Sequence, residues 1–155
     1  MIDKLYELNY EFDREFLLQE ALYKGEWDNF VDPSNGYVFD EWFSKNVIDG
    51  YAKSISEEFS LLLNTSNKPK FLYQKAGYTI PFHKDRGTKC SINFILNETD
   101  DMISFRDSNI FYRTALLNTQ EKHAVLNPKY DRIMLKLSIF DKTYHDVLDT
   151  VRKIM

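Results

Sequence analysis

Nine residues near the C-terminal end constrain this chain most: Arg132-Ile-Met-Leu-Lys-Leu-Ser-Ile-Phe140. The alternation is strict. Ile133, Leu135, Leu137 and Ile139 fall on one side of an extended chain, and Arg132, Met134, Lys136 and Ser138 on the other. Successive side chains of a strand point to opposite faces, so this segment needs an apolar layer beneath it and something polar above it. Lys89 to Leu96 repeats the pattern, with Cys90, Ile92, Phe94 and Leu96 opposed to Ser91, Asn93 and Ile95. Around these two, short strand-like runs are expected near 70–75, 78–83, 89–96, 102–106, 110–117, 122–126 and 132–140. Gly77, Arg86-Gly87, Asn97 to Asp100, Asp107-Ser108-Asn109, Asn118-Thr119 and Asn127-Pro128 separate most of them as turns. Many short, evenly spaced strands predict a sandwich or barrel.

Before residue 66 the apolar spacing is helical. Phe12, Phe16, Leu17, Leu22 and Tyr23 predict one helix within 11–23. Phe43, Val47, Tyr51, Ile55, Phe59 and Leu62, at steps of four and three, predict a second, with Asp40 capping its start and Asn64 to Pro69 ending it. Asp32-Pro33-Ser34-Asn35-Gly36 reads as the turn between them. Tyr144, Val147, Leu148, Val151 and Ile154 return to helical spacing. The expected organisation is one domain over 1–155 in the α+β class with a mainly β core: a helical support region over 1–66, the strand core over 67–140 and a terminal helix over 141–155. The helices need an apolar surface to cover, and the apolar strand faces supply it. The mixed faces then line solvent or a pocket, and Arg132 favours the pocket.

The chain has 155 residues, a formal charge of -4, three histidines and one cysteine, Cys90. That length buries a sizeable core. One cysteine excludes an intrachain disulfide and a multi-cysteine zinc or iron–sulfur site. Acidic residues spread along the chain argue against a nucleic-acid binder, which carries a basic patch. No apolar run approaches membrane-spanning length and the N-terminus lacks a signal-peptide core, so no membrane partner and a soluble, cytoplasmic setting are expected.

Three residues carry chemistry. His83 and Asp85 in Pro81-Phe82-His83-Lys84-Asp85 stand two apart, on one face of a strand. His123 lies in Glu121-Lys122-His123-Ala124-Val125. Two imidazoles and one carboxylate make the facial set that holds iron(II) and leaves positions open for a co-substrate and dioxygen. H-x-D alone is weak, since it also describes a surface His–Asp pair at a strand end. Arg132, nine residues after His123, strengthens it: a buried arginine needs an anionic partner, and its planar fork suits a carboxylate.

These residues resemble a known family, the iron(II)- and 2-oxoglutarate-dependent dioxygenases, and within it the prolyl-hydroxylase-like branch. The matching text is Tyr73-x-x-x-Gly77-Tyr78-x-x-Pro81-x-His83-x-Asp85, then Cys90-Ser-Ile-Asn-Phe-Ile-Leu-Asn97, then His123-Ala-Val-Leu-Asn-Pro-Lys-Tyr130-Asp-Arg132, over about residues 70–140. The resemblance implies that His83, Asp85 and His123 are the catalytic metal ligands. It also implies that Arg132 binds the distal carboxylate of 2-oxoglutarate, with Tyr73 hydrogen-bonding the same group. Asn93 and Ser91, on the pocket-facing side, are expected cofactor or substrate contacts. The implied fold is a double-stranded β-helix, or jelly roll, with N-terminal helices packed on one sheet. The implied activity is hydroxylation of a peptidyl residue, a free amino acid or another small molecule, with release of succinate and CO2 and with ascorbate as an optional reductant.

Departures narrow this. Asp85 is a carboxylate, unlike the halogenase variant. The second arginine usual in nucleic-acid demethylases, six residues after the first, is Ser138 here. Only 37 residues separate Asp85 from His123, too few for long lid insertions. His145 reads as a surface residue, Cys90 as core, Trp27 and Trp42 as anchors, and Arg86 and Arg113 as solvated. Two alternatives stand beside the enzyme: a non-catalytic jelly-roll ligand-binding protein, and a cupin-like metalloprotein without a keto acid.

Overall fold

Arg132–Ile139 forms the middle strand of a seven-stranded sheet. In the computed structural model, which describes residues 2–155, the chain runs as β1 (Leu5–Glu7), α1 (Arg14–Tyr23), β2 (Asp28–Val31), β3 (Val38–Asn46), α2 (Gly50–Leu63), β4 (Lys68–Gln74), β5 (Ile80–His83), β6 (Cys90–Ile95), β7 (Ile103–Phe105), β8 (Asn109–Ile110), β9 (Thr114–Leu117), β10 (His123–Val125), β11 (Arg132–Ile139) and α3 (Tyr144–Ile154). Two antiparallel sheets form. The larger has the order β1-β9-β6-β11-β4-β3-β2, and the smaller the order β5-β10-β7-β8. β11 pairs with β4 on one side and β6 on the other. Its odd-numbered residues, Ile133 to Ile139, join Cys90, Ile92 and Phe94 of β6 in a core that α1, α2 and α3 close with Leu17, Ala21, Ile55, Phe59, Val147 and Val151. The other face looks toward the smaller sheet. There Leu72, Ile95 and Met134 meet Ile103, Phe105 and Tyr112 in a second, smaller apolar cluster. Among the described residues no helix is long and apolar enough to cross a membrane.

The helices start where side chains can satisfy their free amides. Asp13 caps α1, its Oδ1 accepting from Phe16 N at 3.0 Å. α2 has no cap of its own. Glu20 of α1 supplies one instead, its two carboxylate oxygens accepting from Tyr51 N at 2.8 Å and Ala52 N at 2.9 Å. Asn64, with φ 49°, ends α2 in the left-handed conformation.

Three expectations fail in the N-terminal region. The second helix begins at Gly50, not near residue 43, and Asp40 lies within β3 rather than at a helix cap. Val38–Asn46 is a strand because the edge of β4 offers it a ladder: Trp42, Phe43, Ser44, Lys45 and Asn46 pair with Gln74, Tyr73, Leu72, Phe71 and Lys70. β1 and β2 are likewise strands in a region expected to be helical, and the expected strand over 110–117 breaks into β8 and β9 around Tyr112.

Candidate metal and co-substrate site

β5 and β10 are antiparallel neighbours in the smaller sheet, and His83 and His123 are direct partners across them. Asp85 follows two residues after His83, where the strand has ended. Its amide donates to Thr119 O at 3.1 Å and its carbonyl accepts from Gln120 Nε2 at 3.0 Å, which fixes the turn. The carboxylate then meets both imidazoles. Oδ1 lies 3.3 Å from His83 Nε2 and 3.2 Å from His123 Nε2. One donor atom from each residue falls within 4.8 Å of the others.

The imidazoles are oriented from behind. His83 Nδ1 sits 2.7 Å from Pro81 O, and His123 Nδ1 sits 2.7 Å from Glu121 O. A carbonyl can only accept, so each Nδ1 donates to its carbonyl and Nε2 is the ring atom turned toward Asp85. Burial opposes the charged form of His83, yet hydrogen bonds to Asp85 and Pro81 O hold its pKa above the ordinary value. For Asp85, burial pushes upward, but the charge of Lys136 and the hydrogen bonds from His123 and His83 hold the carboxyl far below the usual range. Lys136 Nζ donates to Asp85 Oδ2.

The cluster opens on a pocket of about 710 Å³ between the two sheets. Arg132 lines it and is only 4% exposed. Its one hydrogen bond is long, from an Nη to Gln74 Oε1 at 3.4 Å, and its Nε has no partner. No carboxylate among the described residues lies within ion-pair distance of this guanidinium. Ser91 and Asn93 also line the pocket, as expected: Ser91 Oγ donates to Asn93 Oδ1 at 2.9 Å, and Asn93 Nδ2 donates to Tyr112 Oη at 3.1 Å.

Tyr73 is the correction. It pairs across β4 with Ile133 and Phe43, and it packs edge-on against Trp27 and Phe43 on the helix-covered side of the sheet. Its hydroxyl donates to Asp131 Oδ2. Strand parity decides this: Leu72 and Gln74 face the pocket, so Tyr73 between them cannot. Gln74 takes the place beside Arg132. Lys136, Gln74 and Tyr112 are among the pocket residues that the sequence did not single out. For Lys136 the signal was present, because it shares a face of β11 with Arg132. Trp42 is also a pocket residue, stacked on Phe30 with ring centroids 4.0 Å apart. Trp27 remains an anchor, Cys90 is buried in the core, and His145 is exposed on α3. Arg86 lines the pocket, whereas Arg113 donates to Asn97 O at 3.1 Å.

No family model and no curated protein matches this sequence. Solved structures do. A Trichoplax adhaerens prolyl hydroxylase, in complex with a hypoxia-inducible-factor oxygen degradation domain peptide, superposes with a TM-score of 0.69 at 14% identity, over 97% of this chain and 85% of that one. A Pseudomonas putida prolyl-4-hydroxylase gives 0.62 at 15% identity, over 82% and 86%. HygX from Streptomyces hygroscopicus, with nickel, 2-oxoglutarate and hygromycin B bound, gives 0.60 at 10% identity, over 88% and 81%. At these identities the likeness is one of architecture: the chain has the jelly-roll fold of the prolyl hydroxylases, an α+β fold with a mainly β core.

Proposed function

We propose that the protein is an iron(II)- and 2-oxoglutarate-dependent dioxygenase that hydroxylates a peptidyl residue, a free amino acid or another small molecule. One observation carries the reading: a buried arginine with an unpartnered Nε shares a pocket with a His–Asp–His cluster. A buried guanidinium without an anion is costly, and the planar fork matches a carboxylate. A ligand that bridges a divalent metal and Arg132 satisfies both ends. The nitrogen and oxygen donor set of His83, Asp85 and His123 fits iron(II).

In this reading the two Nε2 atoms and Asp85 Oδ1 would hold the metal. The carbonyls of Pro81 and Glu121 keep the tautomers that leave the Nε2 lone pairs free. Arg132 receives the distal carboxylate of the keto acid and so sets its direction along the pocket. Leu72, Ile103, Val125 and Met134 give the same pocket apolar walls, which limit water. When bound, metal and keto acid supply the oxidising chemistry, with succinate and CO2 as by-products. The peptide and hygromycin B in the solved neighbours are consistent with either substrate size.

The test is reconstitution. Under anaerobic conditions, iron(II) and 2-oxoglutarate together should produce a charge-transfer absorption. Air and ascorbate should then release succinate slowly without substrate. Asp85→Ala and His123→Ala should lose both signals. Metal binding without any effect of 2-oxoglutarate would leave a cupin-like metalloprotein. Failure to bind either would leave a jelly-roll binding protein.

A further inference from the structure

Lysines face each other inside the pocket. Lys70 of β4 and Lys136 of β11 are direct cross-strand partners, and Lys68 pairs with Ser138 one step further along the same face. All four line the pocket. Like charges directly opposite one another in a ladder are destabilising. Asp85 resolves half of the problem by taking Lys136. Lys70 is left half-buried, with no hydrogen bond or ion pair to any described residue. Burial first, then the charges of Lys68 and Lys136, push its pKa down.

The imbalance extends to the whole pocket. Lys68, Lys70, Lys84, Arg86, Arg132 and Lys136 line it against Asp32 and Asp85, in a chain whose formal charge is -4. Cations are therefore gathered here against the overall composition. The distal carboxylate of the keto acid proposed above, seated at Arg132, does not account for Lys68 and Lys70. Arg132 pairs with Gln74, four residues along β4 from Lys70, which is roughly 13 Å of strand. A carboxylate seated at Arg132 leaves Lys70 unmatched. Lys68 and Lys70, two residues apart on one face, stand about 6–7 Å apart at the Cα atoms and form two jaws of a clamp.

We propose that the pocket takes an anionic substrate, whose carboxylate or phosphate seats between Lys68 and Lys70 on the β4 wall, apart from the keto-acid carboxylate at Arg132. This rests on the pocket being the reaction site argued above, and it names the class of molecule that enters.

Lysine side chains of the zinc-loaded protein, dimethylated with 13C and saturated with 2-oxoglutarate, can be followed by NMR during titration with orthophosphate, acetate and neutral acetamide. The Lys70 signal, assigned with Lys70→Arg, should shift saturably with one of the two anions. Its midpoint should be about tenfold lower than that of exposed Lys153, with no response to acetamide. A stronger response to phosphate identifies a phosphorylated substrate, and a stronger response to acetate a carboxylate one. A Lys70 response no tighter than that of Lys153 overturns the proposal. So does a Lys70 shift produced by 2-oxoglutarate itself that phosphate and acetate cannot extend, since Lys70 would then belong to the keto-acid site. Phosphate should also raise the thermal midpoint of wild type and not of Lys70→Met. Absence of any 2-oxoglutarate binding in the same samples counts against the dioxygenase reading and leaves the anion clamp to be judged on the Lys70 signal alone.

Discussion

Lys136 reaches from the larger sheet to the carboxylate of Asp85, just past the end of β5 in the smaller one, and takes Oδ2, whereas the two imidazoles contact Oδ1. This ion pair spans the pocket. It leaves Oδ1 as the carboxylate atom facing His83 and His123. It also places a cation beside the position a divalent metal would take.

Removing that cation should have opposite effects on the two forms of the protein. Lys136→Met leaves Asp85 buried without its cation, and breaking such a pair costs a few kcal/mol. The metal-free variant should unfold at lower denaturant than wild type. A divalent ion no longer competes with Lys136 for the carboxylate, so manganese(II) should bind about tenfold more tightly and restore the lost stability. Calorimetric titration and denaturant unfolding, each with and without manganese(II), check both halves. Weaker metal binding in the variant would show that Lys136 positions the carboxylate more than it competes for it.

Arg132 gives the converse case, a buried cation with nothing yet to pair with. Arg132→Met should weaken 2-oxoglutarate binding by about 10- to 100-fold, the range expected when a charge-assisted hydrogen bond is removed. Metal affinity should hardly change, because Arg132 contacts none of the three candidate ligands. Stability of the ligand-free protein should hold or rise, since an unpaired buried guanidinium is a cost. Equal loss of metal and keto-acid binding would mean that the variant had disturbed the fold of the pocket instead.

What was legible in the sequence follows the range over which each constraint acts. The faces of β6 and β11 were readable because parity along a strand is local, and that parity put Arg132, Asn93 and Ser91 in the pocket. His83 and Asp85 were readable as a pair from their spacing, although Asp85 lies past the strand end and reaches the imidazoles through the turn fixed by Thr119 and Gln120. β3 was not readable. Phe43 and Val47 continue the four-residue spacing of α2, and only the open edge of β4 turns 38–46 into a strand. The start of α2 depends on Glu20, some thirty positions earlier. Tyr73 was misplaced because a motif fixes order along the chain and does not fix which face of β4 a residue takes. Lys136 could have been read from its face, but its partner could not, since Asp85 lies in the segment that follows β5, a strand of the other sheet.

Cys90 offers a probe of the core that is independent of the site. It is fully buried, and burial pushes its thiol up to about 12. A thiolate is the reactive form, so the native protein should not react with a disulfide reagent at about pH 8 on the timescale of minutes. Reaction should begin only as the helices lift from the larger sheet, and its rate should follow unfolding across a denaturant series. Prompt labelling of native protein would show that the α3-covered end of the sheet opens locally.

Tyr73 carries the last prediction, and it separates the two faces of β4. Its hydrogen bond to Asp131, helped by burial, pushes the phenol up to about 12. Tyr73→Phe removes a contact on the helix side of the sheet and nothing in the pocket. Affinity for 2-oxoglutarate should therefore stay within about twofold of wild type, while stability falls. The pH dependence has a fixed sign. A phenol whose folded pKa lies above its unfolded value of about 10 stabilises in full below that value, and the contribution is lost as pH rises through the folded pKa. The stability gap between wild type and Tyr73→Phe should thus be constant from about pH 7 to 9 and shrink between about 10 and 12. Paired denaturant titrations across that range measure it. A large loss of 2-oxoglutarate affinity in Tyr73→Phe would return the hydroxyl to the pocket and contradict the strand parity observed here.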